Sequence, residues 1–289
     1  MKNLNDIIHP IATELAQFEA FFAQTLKAET EPMNSIMHYV LDTQGKRLRP
    51  MLVLLSAKLF GEVNEQTLRA ATFVEMVHSA TLIHDDVVDD SDLRRKKASV
   101  KAQFGNLSAV LAGDFLLAKA MLLLARPDDY AILQEMLSTT AAMSKGELMQ
   151  SMSTRSLSPW SLSLIEASKG RSEKNETSMG RPFDRLRDLN YLDIITRKTA
   201  MLMRSCCAAG ALSVNASPEQ VQQIADFGLN FGILFQLRDD MLDGENTEQA
   251  KALLPIYYEK SLQTLENFPS SEIVDTLRDL TAFCAERKE

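Results

Sequence analysis

Five aspartates fall within eight positions in "LIHDDVVDDSDLRR", Leu82 to Arg95, and a second cluster, "DDMLD", closes an apolar stretch at Asp239 to Asp243. Both place carboxylates four residues apart, which on a helix stacks Asp85 above Asp89 and Asp239 above Asp243. Nothing local rewards this: aspartate is a poor helix former, and like charges four apart cost roughly a few tenths of a kcal/mol per pair. Stacked carboxylates do suit a hard, oxygen-seeking divalent cation such as Mg²⁺. The competing reading is a solvated acidic helix end, and the recurrence of one spacing behind two apolar helices favours the metal. For the first cluster that requires His84 to stay out of the coordination shell.

Mg²⁺ held by few carboxylates usually also holds phosphate oxygens. Suitable cations stand nearby: "GKRLRP" supplies Lys46, Arg47 and Arg49, and Arg94 and Arg95 follow the first cluster. Alone, "GKRLRP" reads as a helix stop, a basic turn and a helix start. In a chain of net charge −8 at pH 7 such a basic patch serves a local anion, and nucleic acid or an acidic membrane surface is not the expected partner. His78, two turns before Asp85 on the same face, reads by spacing alone as a packed core residue.

The elements that must position these groups are helices. Apolar residues recur at three- and four-residue spacing over Leu52 to Phe60, Leu68 to Asp90, Ser108 to Ala125, Tyr130 to Met152, Tyr191 to Ala211, Pro218 to Asp243 and Ile273 to Arg287. Alternating strand patterns are nearly absent, so the expectation for all 289 residues is one all-α domain. The segment 151–189, rich in Ser, Arg and Lys and weakly periodic, reads as a long polar insertion. Three cysteines, two of them adjacent, offer neither a disulfide framework nor zinc-ligand spacing, and a reducing, cytoplasmic location fits. No signal peptide is evident at the N-terminus, and no apolar run reaches the roughly 18 to 20 residues of a membrane span.

Taken together, "GKRLRP", "LIHDDVVDDSDLRR", "FGNLSAVLAGDFLLAKA", "GELMQ", "RKTA" and "FGLNFGILFQLRDDMLD" resemble, in order, the signatures of the trans-isoprenyl diphosphate synthases, the polyprenyl synthetase family. The resemblance implies an isoprenoid-synthase-type helical bundle around a central cavity, usually in a homodimer, with the aspartate motifs facing each other across its mouth. It implies that Asp85, Asp89 and Asp239 bind three Mg²⁺ ions gripping an allylic diphosphate, supported by Asp86, Asp240 and Asp243. Arg94, Lys198 and Lys251 would contact that diphosphate. Lys46, Arg49, His78 and Arg95 match the positions that bind isopentenyl diphosphate, which overturns the core reading of His78. Thr199 and Gln236 match residues lining the allylic cation. The implied reaction is ionisation of the allylic substrate, attack by the double bond of isopentenyl diphosphate and loss of a proton, with released diphosphate as the base.

Family members that stop at short products carry bulky aromatics one turn below the first motif. Here Ala80, Thr81 and Val77 are modest, Phe73 is the first large ring, and Leu107 to Leu123 should form another wall, so a long product is expected. Three features depart from the family pattern. "KKAS" at Lys96 to Ser99 replaces the usual Gly and Pro, segment 151–189 is long, and seven residues alone separate Asp243 from Lys251. That short connection lacks the family's "GK" and acidic part, leaving less chain to cover the diphosphate. It keeps alive an auxiliary subunit of a heteromeric synthase; a class I terpene cyclase is the other alternative, opposed by the isopentenyl diphosphate set.

Overall fold

The computed structural model describes residues 3–43, 45–154, 191–244 and 247–287, with side chains of 149–154 outside that description. The described residues form helices α1 (Leu4–Ile7), α2 (Ala12–Leu26), α3 (Glu31–Asp42), α4 (Leu48–Phe60), α5 (Glu65–Val88), α6 (Val100–Phe104), α7 (Asn106–Leu124) and α8 (Tyr130–Thr154), followed by α9 (Tyr191–Ile195), α10 (Met201–Ser213), α11 (Pro218–Asp243), α12 (Thr247–Leu265) and α13 (Glu272–Glu286). A two-residue hairpin, β1 (Leu93–Arg94) and β2 (Lys97–Ala98), pairs Leu93 with Ala98. The expected all-α bundle is observed. The helices of α2, α3 and α12 were not anticipated, because their apolar stripes are narrow and interrupted by charge. Most of the polar insertion expected at 151–189 lies outside the described residues.

The two motif helices start from side-chain caps. Asn64 and Thr67 form a reciprocal capping box at the head of α5, and Ser217 and Gln220 form another at the head of α11, where Pro218 occupies a position whose N–H needs no partner. Each helix then runs over 20 residues and delivers its aspartates at the far end, 24 residues long in α5 and 26 in α11. Pro50 sits in the first turn of α4, as expected of a residue that opens a helix.

Packing centres on α5, α10 and α11. Helix α5 lies against α4, α7 and α10, while α10 lies against α4, α8 and α11. Helix α10 can be surrounded because its run Ser205, Cys206, Cys207, Ala208, Ala209, Gly210 and Ala211 is small and buried. Phe73, Phe227 and Phe231 fill the space between the helices, each fully buried and worth about 1.5–3 kcal/mol in removed apolar surface. At Gly232 a Cβ would stand 2.6 Å from the Ala200 Cα, so glycine lets α11 press against the segment that leads into α10.

One sequence expectation needs correction. Helix α7 is long and apolar enough by length and composition to cross a membrane. Asp114 and Lys119 interrupt its apolar run, which hid this from a count of uninterrupted residues. A third of it is buried, and it packs along α5. Leu107, Leu111 and Leu122 remain exposed on it.

Candidate active site

The crowded first motif divides into two groups. Asp86 is buried and accepts from Arg94 at 3.0 Å (Nε) and 2.5 Å (Nη2). Lys101 Nζ lies 2.6 Å from Asp90 and 3.1 Å from Asp92. Asp85 and Asp89 remain, one turn apart at the end of α5, and neither has an ion pair among the described residues. The local fold thus pairs three aspartates with cations and leaves two without an ion partner among the described residues. Burial raises the Asp85 pKa to about 6, with the neighbouring charges of Glu147 and Asp89 adding to the rise and Lys198 and Arg94 opposing it. Such a carboxylate is short of positive charge.

Arg94 is returned to Asp86 by the hairpin. Its two turn residues, Arg95 and Lys96, have φ of 53° and 67°, the left-handed pair a tight hairpin demands. The departure from the family's glycine therefore leaves the turn intact and adds strain of roughly 1–2 kcal/mol at a residue with a Cβ.

The second motif ends α11 in different company. Asp239 accepts from Arg287 Nη2 at 2.5 Å, and that guanidinium also lies 4.1 Å from the centre of the Phe235 ring. Arg238 Nε donates to the Arg287 carbonyl at 2.8 Å, tying the strap after α13 to α11. Burial raises the Asp239 pKa, and Arg287 opposes the rise. Asp240 is buried, accepting from Gln236 Nε2 at 2.7 Å and from the Tyr191 hydroxyl. Asp243 is exposed at the helix end.

Between the motifs, "TRKTA" forms a π-helical segment, Thr196–Ala200. Such single turns widen the helix and recur at functional sites. Lys198 Nζ meets Glu147 Oε2 at 2.9 Å, while the adjacent Thr199 donates to Gln236 Oε1 at 2.7 Å. One segment therefore faces the first motif through Lys198 and the second through Thr199.

The remaining cations gather around His78, two turns back along α5 from Asp85. Arg49 Nη1 and His78 Nε2 are 3.0 Å apart. Burial, then the charges of Arg49, Arg95, Arg94 and Arg47, hold the His78 pKa well below its ordinary value, so a neutral ring accepts from Arg49. Arg49 Nε is buried with no hydrogen-bond partner among the described residues, a donor suited to an anion. Arg95 lies flat against Gly45, where a Cβ would come within 2.5 Å of its guanidinium, and Arg95 Nη1 donates to the Thr43 carbonyl at 3.2 Å. Lys46 Nζ is 6.0 Å from the Phe283 ring centre. His78, Asp86, Arg94, Arg95, Glu75 and Tyr39 line a small cleft that opens to solvent.

Three expectations are corrected. Arg47 is committed to structure: buried under Phe18 and Phe22, it bonds Glu19 at 2.7 and 2.9 Å and Glu75 at 2.7 Å. Lys251 is exposed and pairs with Glu248 on its own helix at 3.3 Å, because α12 begins directly after the short connection. Ala80 and Val77 are packed into the main apolar core, and Thr81 alone of the three proposed length-setting residues is half-buried. Sequence reasoning missed Glu147, Tyr191 and Arg287. Glu147 lies inside "GELMQ" and could have been found there; Arg287 carries no local signal.

Among the described residues no three His, Cys, Asp or Glu side chains converge on one point. The donor chemistry nevertheless fits Mg²⁺: Asp85 and Asp89 form an all-oxygen pair short of positive charge, and a diphosphate would complete the coordination. At Asp239 the Arg287 guanidinium already supplies positive charge.

Residues 30–252 match the family described as polyprenyl synthetase. The chain is 28% identical over 268 residues to octaprenyl diphosphate synthase of Escherichia coli (strain K12), covering 89% of this chain and 75% of that protein. It is 31% identical over 264 residues to the all-trans-nonaprenyl-diphosphate synthase (geranyl-diphosphate specific) of Rhodobacter capsulatus, covering 87% and 73%. The fold is shared with a polyprenyl synthase from Caulobacter crescentus CB15 crystallised with calcium and isoprenyl diphosphate, at a TM-score of 0.82, 24% identity and coverage of 99% and 98%.

Proposed function

The chain belongs to the polyprenyl synthetase family, and on that premise we propose that it is a Mg²⁺-dependent trans-prenyltransferase that condenses isopentenyl diphosphate with an allylic diphosphate into a long-chain polyprenyl diphosphate. The observation that carries this reading is the separation of two charge sets. Asp85 and Asp89 end α5 beside Lys198 with no ion pair among the described residues, and Arg49, His78 and Arg95 form a cationic group farther back along the same helix. Two different anions thus have two different seats. A terpene cyclase has no use for the second, and an auxiliary subunit none for the first.

Asp85 and Asp89, with Asp239 and Asp243 once Arg287 withdraws, would hold the metal, three ions in the full complex. When bound there, Mg²⁺ would supply positive charge to offset that of the departing diphosphate. Lys198 adds positive charge beside Asp85. Arg94 is bonded to Asp86, so its contribution is to brace the motif as well as to face the anion. Arg49, Arg95 and Lys46 seat isopentenyl diphosphate, with neutral His78 orienting Arg49. Thr199 and Gln236 lie where the allylic cation forms.

The exposed Leu107, Leu111 and Leu122 of α7 support a homodimer formed through that helix, and the buried thiols of Cys206, Cys207 and Cys284 support a cytoplasmic location. Product analysis of the purified protein with Mg²⁺, isopentenyl diphosphate and a series of allylic primers tests the function. A long-chain product is expected; no product from any primer overturns the proposal. Thr81→Phe should shorten the product, since a half-buried site accepts a ring, whereas Ala80→Phe would overpack the core by about 1–3 kcal/mol.

A further inference from the structure

Four side chains form one hydrogen-bonded line between the motifs: Tyr191, Asp240, Gln236 and Thr199. Its polarity follows from chemistry. An ionised carboxylate only accepts, so the Gln236 amide must turn its NH₂ toward Asp240, at 2.7 Å. Its carbonyl oxygen then faces Thr199, and the single hydroxyl proton of Thr199 is spent on it, at 2.7 Å. Two lone pairs remain on Thr199 Oγ1. Asp240 and Thr199 are 6% and 8% exposed, so water offers little competition for these bonds.

We infer that Tyr191 and Asp240 are positioning residues which, through Gln236, turn the lone pairs of Thr199 rather than its proton toward the reacting allylic carbons. Lone pairs stabilise a developing carbocation, and a hydroxyl proton at the same place would oppose it. Asp240, although part of "DDMLD", serves here as an anchor with both carboxylate oxygens already bonded. The inference rests on the prenyl-transfer reading. It is distinct from that reading in predicting an effect on kcat with substrate and metal binding unchanged.

The test compares wild type, Y191F, D240N, T199V and the double variants Y191F/T199V and D240N/T199V, with circular dichroism confirming the fold. Asn at position 240 can present its own NH₂ and let the Gln236 amide turn over. D240N should lower kcat by roughly 10–100-fold and Y191F by roughly 3–10-fold, with both KM values and the half-saturating Mg²⁺ within about threefold. With Val at position 199 no hydroxyl remains to orient, and adding either change should cost less than about twofold more. Full, undiminished losses in the T199V background overturn the inference. So does a raised Mg²⁺ requirement at unchanged kcat, which would make Asp240 a metal ligand. An active wild type with unaffected Y191F and D240N defeats the inference alone; a wild type that forms no product defeats the prenyl-transfer reading and this inference with it.

Discussion

The aspartates ending α5 and those ending α11 have the same spacing and the same kind of helix beneath them, and the surrounding chain treats them differently. At the first motif Arg94 and Lys101 absorb Asp86, Asp90 and Asp92 and leave Asp85 and Asp89 without an ion partner among the described residues. At the second, Arg287 covers Asp239 itself, while Tyr191 and Gln236 hold Asp240. The first is presented bare and the second is covered by a basic residue from the end of the described chain. Equal spacing sets which carboxylates share a helix face; the neighbours set which of them a metal can reach. The short connection after Asp243 brings no lysine to the second motif, and the cation paired with Asp239 is Arg287.

The largest test of this difference is Asp85→Asn, which removes a charge from the bare pair and should lower turnover by roughly 10³-fold or more with the fold intact by circular dichroism. Acidification comes next. The folded-state pKa of Asp85 is about 6 against an ordinary 3.8, so the half-saturating Mg²⁺ should rise about tenfold per pH unit below 6, measured by titration calorimetry. The same raised value means the metal-free fold binds a proton more readily than the unfolded chain. Asp85 therefore contributes a stability that grows as pH falls from about 6 toward 3.8 and is lost on the way back up, a trend Asp85→Asn should remove from thermal melts. Uncovering the second motif is a smaller step: Arg287→Gln should lower the half-saturating Mg²⁺ roughly three- to tenfold while costing about 1–2 kcal/mol of stability. If the metal requirement does not fall, the Arg287 pair is structural and the two motifs differ less than they look. Smallest is Lys96→Gly in the hairpin that returns Arg94, which should stabilise the protein by about 1 kcal/mol in denaturant melts and leave the second motif unchanged.

Periodicity located seven helical stretches, since each apolar stripe required a buried face, but missed α2, α3 and α12, and the doubled aspartate spacing raised the expectation of a metal. Signals within a few residues of one another survive reading as a string: Asp85 with Asp89, and Pro50 opening α4. The sequence could not assign roles among identical residue types. Arg47 and Arg49 stand two apart in "GKRLRP", yet one is locked between Glu19 and Glu75 and the other turns to His78. Arg287 reaches Asp239 across 48 residues of chain. Lys198 and Thr199, consecutive in sequence, serve opposite sides of the site because a π turn lies between α9 and α10. Local pattern determines which face of a helix carries charge, because helix geometry repeats every few residues. Which charge is cancelled and which is left to bind depends on pairings over long sequence separations, and packing alone decides those.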